Sequence, residues 1–243
     1  MNQKAETMTA SGSGQAEISI ILPVLNEADR INEAIGHLRT LDTAAGMEII
    51  VIDGDPDGGT VRAVRDRGVV TDAARCGRAS QMNRGAALAS GGVLLFLHAD
   101  TLLPANALSL IRSTLQEDRT RAGAFDLAIE SSRPIFRVTE RYVALRTRLT
   151  RVPFGDQAIF IRRSYFDLMG GFREIPIMED VDFMKRIRKR GDRISIVPAQ
   201  VRTSSRRWDR EGILYCTLRN WALQIGFALG VKPERLAQWY RHQ

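Results

Sequence analysis

The chain has little cysteine: Cys76 and Cys216 are its whole complement in 243 residues. That excludes a disulfide framework and a cysteine metal cluster, and both read as buried or reduced thiols. A long apolar run is missing too. The nearest approach, ILYCTLRNWALQIGFALG (Ile213–Gly230), is broken by Arg219, Asn220 and Gln224. Such a pattern suits a packed amphipathic helix, not a membrane span. Three settings fit that helix, in order of preference: its own domain, a second copy in a homodimer, or a membrane surface. Met1–Gln15 is polar and rich in Gly and Ser, without the apolar centre of a signal peptide. The expectation is a loose tail over 1–15 and a cytoplasmic protein, at most peripheral to the inner face of the membrane. No repeat or linker interrupts the rest, so residues 16–243 are expected to form one domain.

The composition that remains is globular: 44% hydrophobic and 26% charged, in a chain long enough to bury a core without staples. The net charge is +7, from 35 basic and 28 acidic residues. Arg62/Arg65/Arg67 and Lys185–Arg190 read as solvated helix faces. Arg141/Arg146/Arg148/Arg151 and Arg202/Arg206/Arg207 read also as attraction for an anionic partner. No nucleic-acid-binding motif accompanies them, so no nucleic acid partner is expected.

Strand and helix alternate through the first half. Ile18–Leu22 and Glu48–Ile52 are short β-branched runs, and Val69–Thr71 and Val93–Leu97 complete a set of four strands. Between them, Ile31, Ile35, Leu38 and Leu41 recur at helical spacing, with Asn26 as the expected cap and Asp29 three residues on. Val61–Arg67, Ala79–Ala89 and Ala107–Glu117 are the other helices. This is the pattern of an α/β protein with a mainly parallel sheet flanked by helices on both faces. Ligands in such sheets bind beyond the carboxyl ends of the strands. Three of those ends are polar here: Asn26-Glu27, Asp53–Asp57 and His98–Asp100.

The second half is less regular. Gly123–Glu130 alternates weakly, like an exposed or edge strand. Pro134–Thr150 reads as a helix with Ile135, Val138, Tyr142, Leu145 and Leu149 on one face. Gln157–Arg162 and Arg193–Val197 read as strands, and Asp180–Arg190 and Asp209–Leu229 as helices.

Each polar cluster has a plain and a functional reading. Asp100, at a strand exit, is placed to bind a hard divalent cation, or simply to cap the turn before Pro104. His98 alone is more often a satisfied core or loop residue. Asp53 follows a core strand, where it could accept hydrogen bonds from a nucleobase or ribose. Asp55 and Asp57 are preferred as turn residues around Pro56. Glu179 and Asp180 open a helix, where acids suit the macrodipole, and one of them could serve as a general base. Arg206, Arg207 and Trp208 could clamp a phosphate and wall a sugar, or form a charged loop. In PFGDQAIFIRR, Asp156 and Gln157 could meet sugar hydroxyls with Phe154 as a wall, or merely turn the chain.

The order PVLNE, DGDPDGGT, CGRASQMNRGA, LLFLHADT, GDQAIFIRR, MEDVDF resembles the family 2 glycosyltransferases with the GT-A fold. It is most similar to the small bacterial subgroup of radical-SAM/selenodomain-associated transferase 2. The resemblance covers about Ile18 to Trp208. It implies that Pro23, Asn26 and Glu27 lie near base and ribose, that Asp53 contacts the base, and that Arg78 and Asn83 lie near base and phosphates. His98-Ala99-Asp100 occupies the place of the D-x-D motif, with Asp100 on a Mg²⁺ or Mn²⁺ ion. Asp180 matches the base of inverting enzymes, with Glu179 and Gln157 orienting donor or acceptor. Arg206, Arg207 and Trp208 match the end of a C-terminal motif. The expected function is inverting transfer of a sugar from a nucleoside-diphosphate sugar to an acceptor hydroxyl, the acceptor being a glycan, a lipid or a small molecule. The alternatives are a nucleotidyltransferase, which PVLNEADR disfavours by lacking a Gly-rich basic loop, and an inactive module that binds nucleotides or lipid phosphates. A C-terminal helical extension completes the expected GT-A architecture.

Overall fold

In the computed structural model, residues 16–41 and 46–241 are described. The expected tail, 1–15, lies outside them, as do the side chains of Arg207 and Arg241. In chain order the elements are β1 (Ile18–Val24), α1 (Ile31–Arg39), β2 (Met47–Asp53), α2 (Gly59–Ala63), β3 (Val70–Ala73), α3 (Arg78–Leu88), β4 (Val93–Phe96), β5 (Thr101–Leu102) and α4 (Ala107–Gln116). There follow β6 (Thr120–Glu130), α5 (Pro134–Thr150), β7 (Phe160–Arg162), α6 (Arg163–Leu168), α7 (Glu179–Lys189), β8 (Arg193–Ser204), α8 (Arg206–Glu211), α9 (Ile213–Ala228) and α10 (Pro233–Arg241).

One sheet runs β3-β2-β1-β4-β7-β6-β8-β5. The first four strands are parallel. β7 enters antiparallel to both β4 and β6, β8 is parallel to β6, and β5 is antiparallel to β8. The sheet is therefore mixed, with its parallel half made by the first part of the chain.

Side-chain alternation explains the two cores. Ile18, Ile20, Leu22 and Val24 point to the face covered by α1 and α4, where Ile31, Ile35, Leu38, Leu108 and Ile111 pack. Ile21, Ile50, Ile52, Leu94 and Phe96 point to the other face, under Met82 and Ala86 of α3 and Phe183 and Met184 of α7. The second core is rich in rings: Phe166, Phe172 and Phe183 touch one another at centroid distances of 4.8–5.4 Å. Gly85 lets α3 approach β1, because a Cβ there would lie 2.4 Å from Ile21 Cγ2.

Several expectations need correction. Asn26 does not cap a helix. It makes the turn after β1 at φ 57°, and α1 starts only at Ile31, behind Arg30. β1 runs through Pro23 to Val24, because its β4 neighbour stops opposite Ile21 and proline interrupts no ladder on that side. β6 is not an edge strand. It lies between β7 and β8 and is buried along most of its length. The helix expected over 209–229 is two helices, parted at Gly212 (φ 90°), and β5 and α10 were not anticipated. Among the described residues no helix is long and apolar enough to cross a membrane.

Candidate active site

The parallel strands deliver Asp53, His98 and Asp100 to one end of the sheet, and the second half of the chain brings two acidic turns against them. Gly155–Gln157 forms a single 3₁₀ turn before β7. Glu179-Asp180 opens α7, directly after Met178 in the left-handed region at φ 66°. Methionine there is sterically costly, by roughly 1–3 kcal/mol, and such strain gathers at functional turns. Ala158 (φ 50°) repeats the pattern beside the first turn.

Asp180 is held from two sides. Its Oδ2 accepts the Gly155 N–H at 2.5 Å and its Oδ1 the Val181 N–H at 2.7 Å. Gly155 is the hinge of this contact. A Cβ on it would stand 3.2 Å from both Asp180 Oδ2 and His98 Nε2, so His98, Gly155 and Asp180 meet at one point. Asp156, the next residue, is half-buried, and its Oδ1 is sealed without a hydrogen-bond partner. Burial pushes its carboxyl up to about 6, with Asp180 and Asp100 adding to the shift and Arg146 and Arg78 opposing it. Glu179 is 5% exposed. Burial raises it to about 7, helped by Asp180 and opposed by Arg78. Glu27 is also raised by burial and by Asp100, against the pull of Arg206. The carboxyl groups of residues 27, 100, 156, 179 and 180 thus form one electrostatic neighbourhood, which Arg78, Arg146 and Arg206 partly neutralise.

Asp100 is half-buried. β5 follows it at once and pairs with Arg202–Thr203, and the Asp100 carbonyl accepts the Ser204 N–H at 3.2 Å. Arg206, exposed two residues on, is thereby brought beside Glu27. Trp208 is half-buried, edge-on to Phe136 at 5.8 Å. Arg207 falls in α8, with its side chain outside the described residues.

Other residues expected at a ligand have their polar atoms taken by the protein. Asp53 is fully buried. Its Oδ1 accepts the Asp55 N–H at 3.0 Å, and its Oδ2 accepts Thr60 and Val61 N–H at 2.8 and 3.2 Å. It shapes the loop and caps α2. Asn83 clamps the Phe172 backbone, donating to its carbonyl at 2.8 Å and accepting its N–H at 3.0 Å. Gln157 is fully buried. Its Oε1 accepts Arg146, Thr147 and Phe154 donors, and its Nε2 donates to Phe125 O at 2.9 Å. These three build the walls of the site. Pro23 lies within β1, and Asn26 makes the turn that carries Glu27, whose N–H donates to Thr60 Oγ1 at 3.1 Å.

Glycosyl transferase family 2 matches residues 19–175, more than half of the chain. The chain belongs to that family. No curated protein matches it. Among solved structures it is similar to the mannosyltransferase PcManGT from Pyrobaculum calidifontis, in complex with GDP-Man and Mn²⁺, at 21% identity and a TM-score of 0.61 over 77% of this chain and 56% of that one. It is also similar to S. aureus TarS, at 18% identity and a TM-score of 0.60 over 77% of this chain and 36% of that one. A TarS 1–349 structure in complex with UDP matches at the same identity and TM-score, over 77% of this chain and 60% of that one. The chain thus spans only part of each neighbour, and the likeness establishes the fold.

Sequence reasoning missed two parts of this family 2 site. Gln81, 4% exposed, donates to Val24 O at 2.7 Å and Ile52 O at 2.9 Å, tying the ends of β1 and β2 together. Arg146 crosses the site from α5. Its guanidinium stacks 3.6 Å from the Phe154 centroid and donates to Gln157. Gln81 fell within a run read only as helix, and Arg146 was absorbed into a basic cluster. A cavity of about 510 Å³ lies elsewhere, where Ala16 and Gly91-Gly92 enter β1 and β4, and its lining, completed by Ser90, Arg163, Ser164 and Asp167, includes no residue of the acidic turns.

Proposed function

We propose that the chain transfers a sugar from a nucleoside-diphosphate donor to an acceptor hydroxyl, with inversion and with Asp180 as the base. The observation that carries this reading is the fixed carboxylate of Asp180, anchored by Gly155 and Val181 N–H groups beside His98. Family membership supports the reaction class. The nucleotides held by two structural neighbours support the donor class. Motif order supports a position near the radical-SAM/selenodomain-associated transferase 2 subgroup within the family. A sheet drawing strands from both halves supports one domain over 16–243.

Among the described residues, no group of three or more His, Cys, Asp or Glu would by itself hold a metal ion. A hard divalent cation does not need one, because Mg²⁺ is commonly held by one or two carboxylates together with substrate phosphates and water. Asp100, at the strand exit, fits that sparse donor set, with His98 beside it in place of a first aspartate. When bound, the cation would offset charge on the leaving diphosphate.

The chain's own residues supply the rest. Asp180 accepts the acceptor's hydroxyl proton as that oxygen bonds to the anomeric carbon and the sugar–phosphate bond breaks. Arg78 and Arg206 face the acidic neighbourhood and take up phosphate charge, a term that counts strongly in a water-poor cleft. Gln157 and Arg146 hold the Phe154–Gly155 turn that aims Asp180. Glu179, raised to about 7 by burial, is only partly ionised at neutral pH, which reduces the negative charge next to the base.

The test is Asp180→Asn. Transfer should fall by about 10³-fold or more, while a GDP- or UDP-sugar still raises the melting temperature. A fully active variant would overturn the assignment.

A further inference from the structure

We propose that α5 and α9 seat the protein on an anionic lipid surface, and that the acceptor is an amphiphile drawn from that surface. The substrate half of this inference rests on the transferase reading above. The docking half does not.

The α5 stripe legible in the sequence is not packed. Ile135, Val138, Tyr142, Leu145 and Leu149 are 48%, 60%, 41%, 60% and 76% exposed. α9 carries a second stripe at three- and four-residue spacing. Leu214, Leu218, Trp221, Ile225 and, just past its end, Leu229 are 73%, 52%, 40%, 60% and 79% exposed. The two stripes meet where the Tyr142 and Trp221 rings touch at 5.3 Å. Isolated apolar side chains on a surface need no partner, but two adjoining rows of them do.

Two observations select a lipid surface as the partner. The first is charge: Arg141 is exposed on α5 beside the stripe, Arg151 just past the end of α5 and Lys232 just beyond α9, and the chain carries +7 overall. Basic side chains near an apolar face complement anionic headgroups over hydrocarbon. The second is continuity with the site. A cavity of about 70 Å³ is lined by Tyr142 and Trp221 at the join of the stripes, and by Phe154, Arg146 and Asp156. Its apolar side belongs to the exposed face, and its polar side carries Arg146 and Asp156, the latter one residue from the Gly155 N–H that holds Asp180. An acceptor hydroxyl entering here points toward the turn that holds the base while a hydrocarbon tail stays on the platform.

The experiment is co-sedimentation of the full chain with phosphatidylglycerol–phosphatidylcholine vesicles and with pure phosphatidylcholine vesicles. Binding to the anionic vesicles alone is expected, weakened by salt. It should also weaken about tenfold or more in Leu145→Glu/Leu218→Glu, both sites being exposed enough to fold. Arg141→Glu is a milder second variant with the same direction. The donor-sugar melting shift should be unchanged in all of them. Asp180→Asn should bind vesicles like the wild type, which separates failure of docking from failure of the catalytic reading. Absence of binding to anionic vesicles, or equal binding by the double variant, would overturn the proposal. So would a wild-type dimer in sedimentation equilibrium that the double variant dissolves, since a second copy would then own this face.

Discussion

Glu179 and Asp156 carry the most displaced carboxyl groups of the site, and both shifts run the same way. A carboxyl raised in the fold keeps its proton where the unfolded chain has lost it. Its stabilising contribution is complete below the unfolded value and fades as pH climbs through the folded one. For Glu179 that window runs from 4.5 to about 7. Glu179→Gln keeps a neutral side chain at every pH. Its stability relative to the wild type should therefore rise by about 3 kcal/mol across the window, read from urea midpoints. Asp156, raised in the same direction, cancels from that difference and leaves each protein's own stability falling as pH climbs from 3.8 to about 6. Gly155 answers to geometry. In Gly155→Ala the new methyl meets Asp180 and His98 at 3.2 Å, so one of them must give way. A displaced base should lower kcat roughly tenfold or more with the donor-induced melting shift intact, and an unchanged kcat would show that the point contact is dispensable.

At the scale of elements, Gln157 decides whether the turn before β7 is rigid. It satisfies Phe125 O, Thr147 Oγ1, Arg146 and the Phe154 N–H from one buried position. Gln157→Leu strands several buried polar groups at once and should cost about 3 kcal/mol in chemical denaturation. Which elements were legible follows from how local their causes are. Ile18–Val24, Met47–Asp53 and Val93–Phe96 announce themselves by continuous β-branched or apolar runs, because parallel strands are buried on both faces. The α5 boundaries were read residue for residue from Pro134 and the spacing of its stripe. β6 was misread because Gly123, Ala122 and Ala124 look weak in isolation. Their smallness fits the close approach of Phe160, whose ring a Cβ at Gly123 would strike at 2.4 Å. The two-residue β5 exists only through its pairing with β8, which no local pattern encodes.

At the scale of the molecule, the acidic site is assembled from turns more than a hundred residues apart, and the arginines around it only partly balance its charge. Donor binding should depend on added cation: with EDTA, the melting shift caused by a nucleotide sugar should largely vanish. With Mg²⁺ or Mn²⁺ at a hundredfold excess of ligand over Kd, it should reach about 2.7 kcal/mol of added stability. A shift unaffected by EDTA would show that the arginines suffice. Motif order was enough to name Asp100, Glu179 and Asp180 as candidates, and the Gly-Asp-Gln turn before an apolar strand to name Asp156. Neither signal showed that Asp53, Asn83 and Gln157 spend their polar atoms inside the protein, since that depends on which strand ends and turns come together. The short strand after Asp100 lies against the end of β8, well past residue 175, where the family match stops. A fragment trimmed to the matched segment would therefore lose more than Glu179 and Asp180. It would slacken the Asp100 turn as well, because the strand that keeps it taut is spliced on from the far end of the polypeptide.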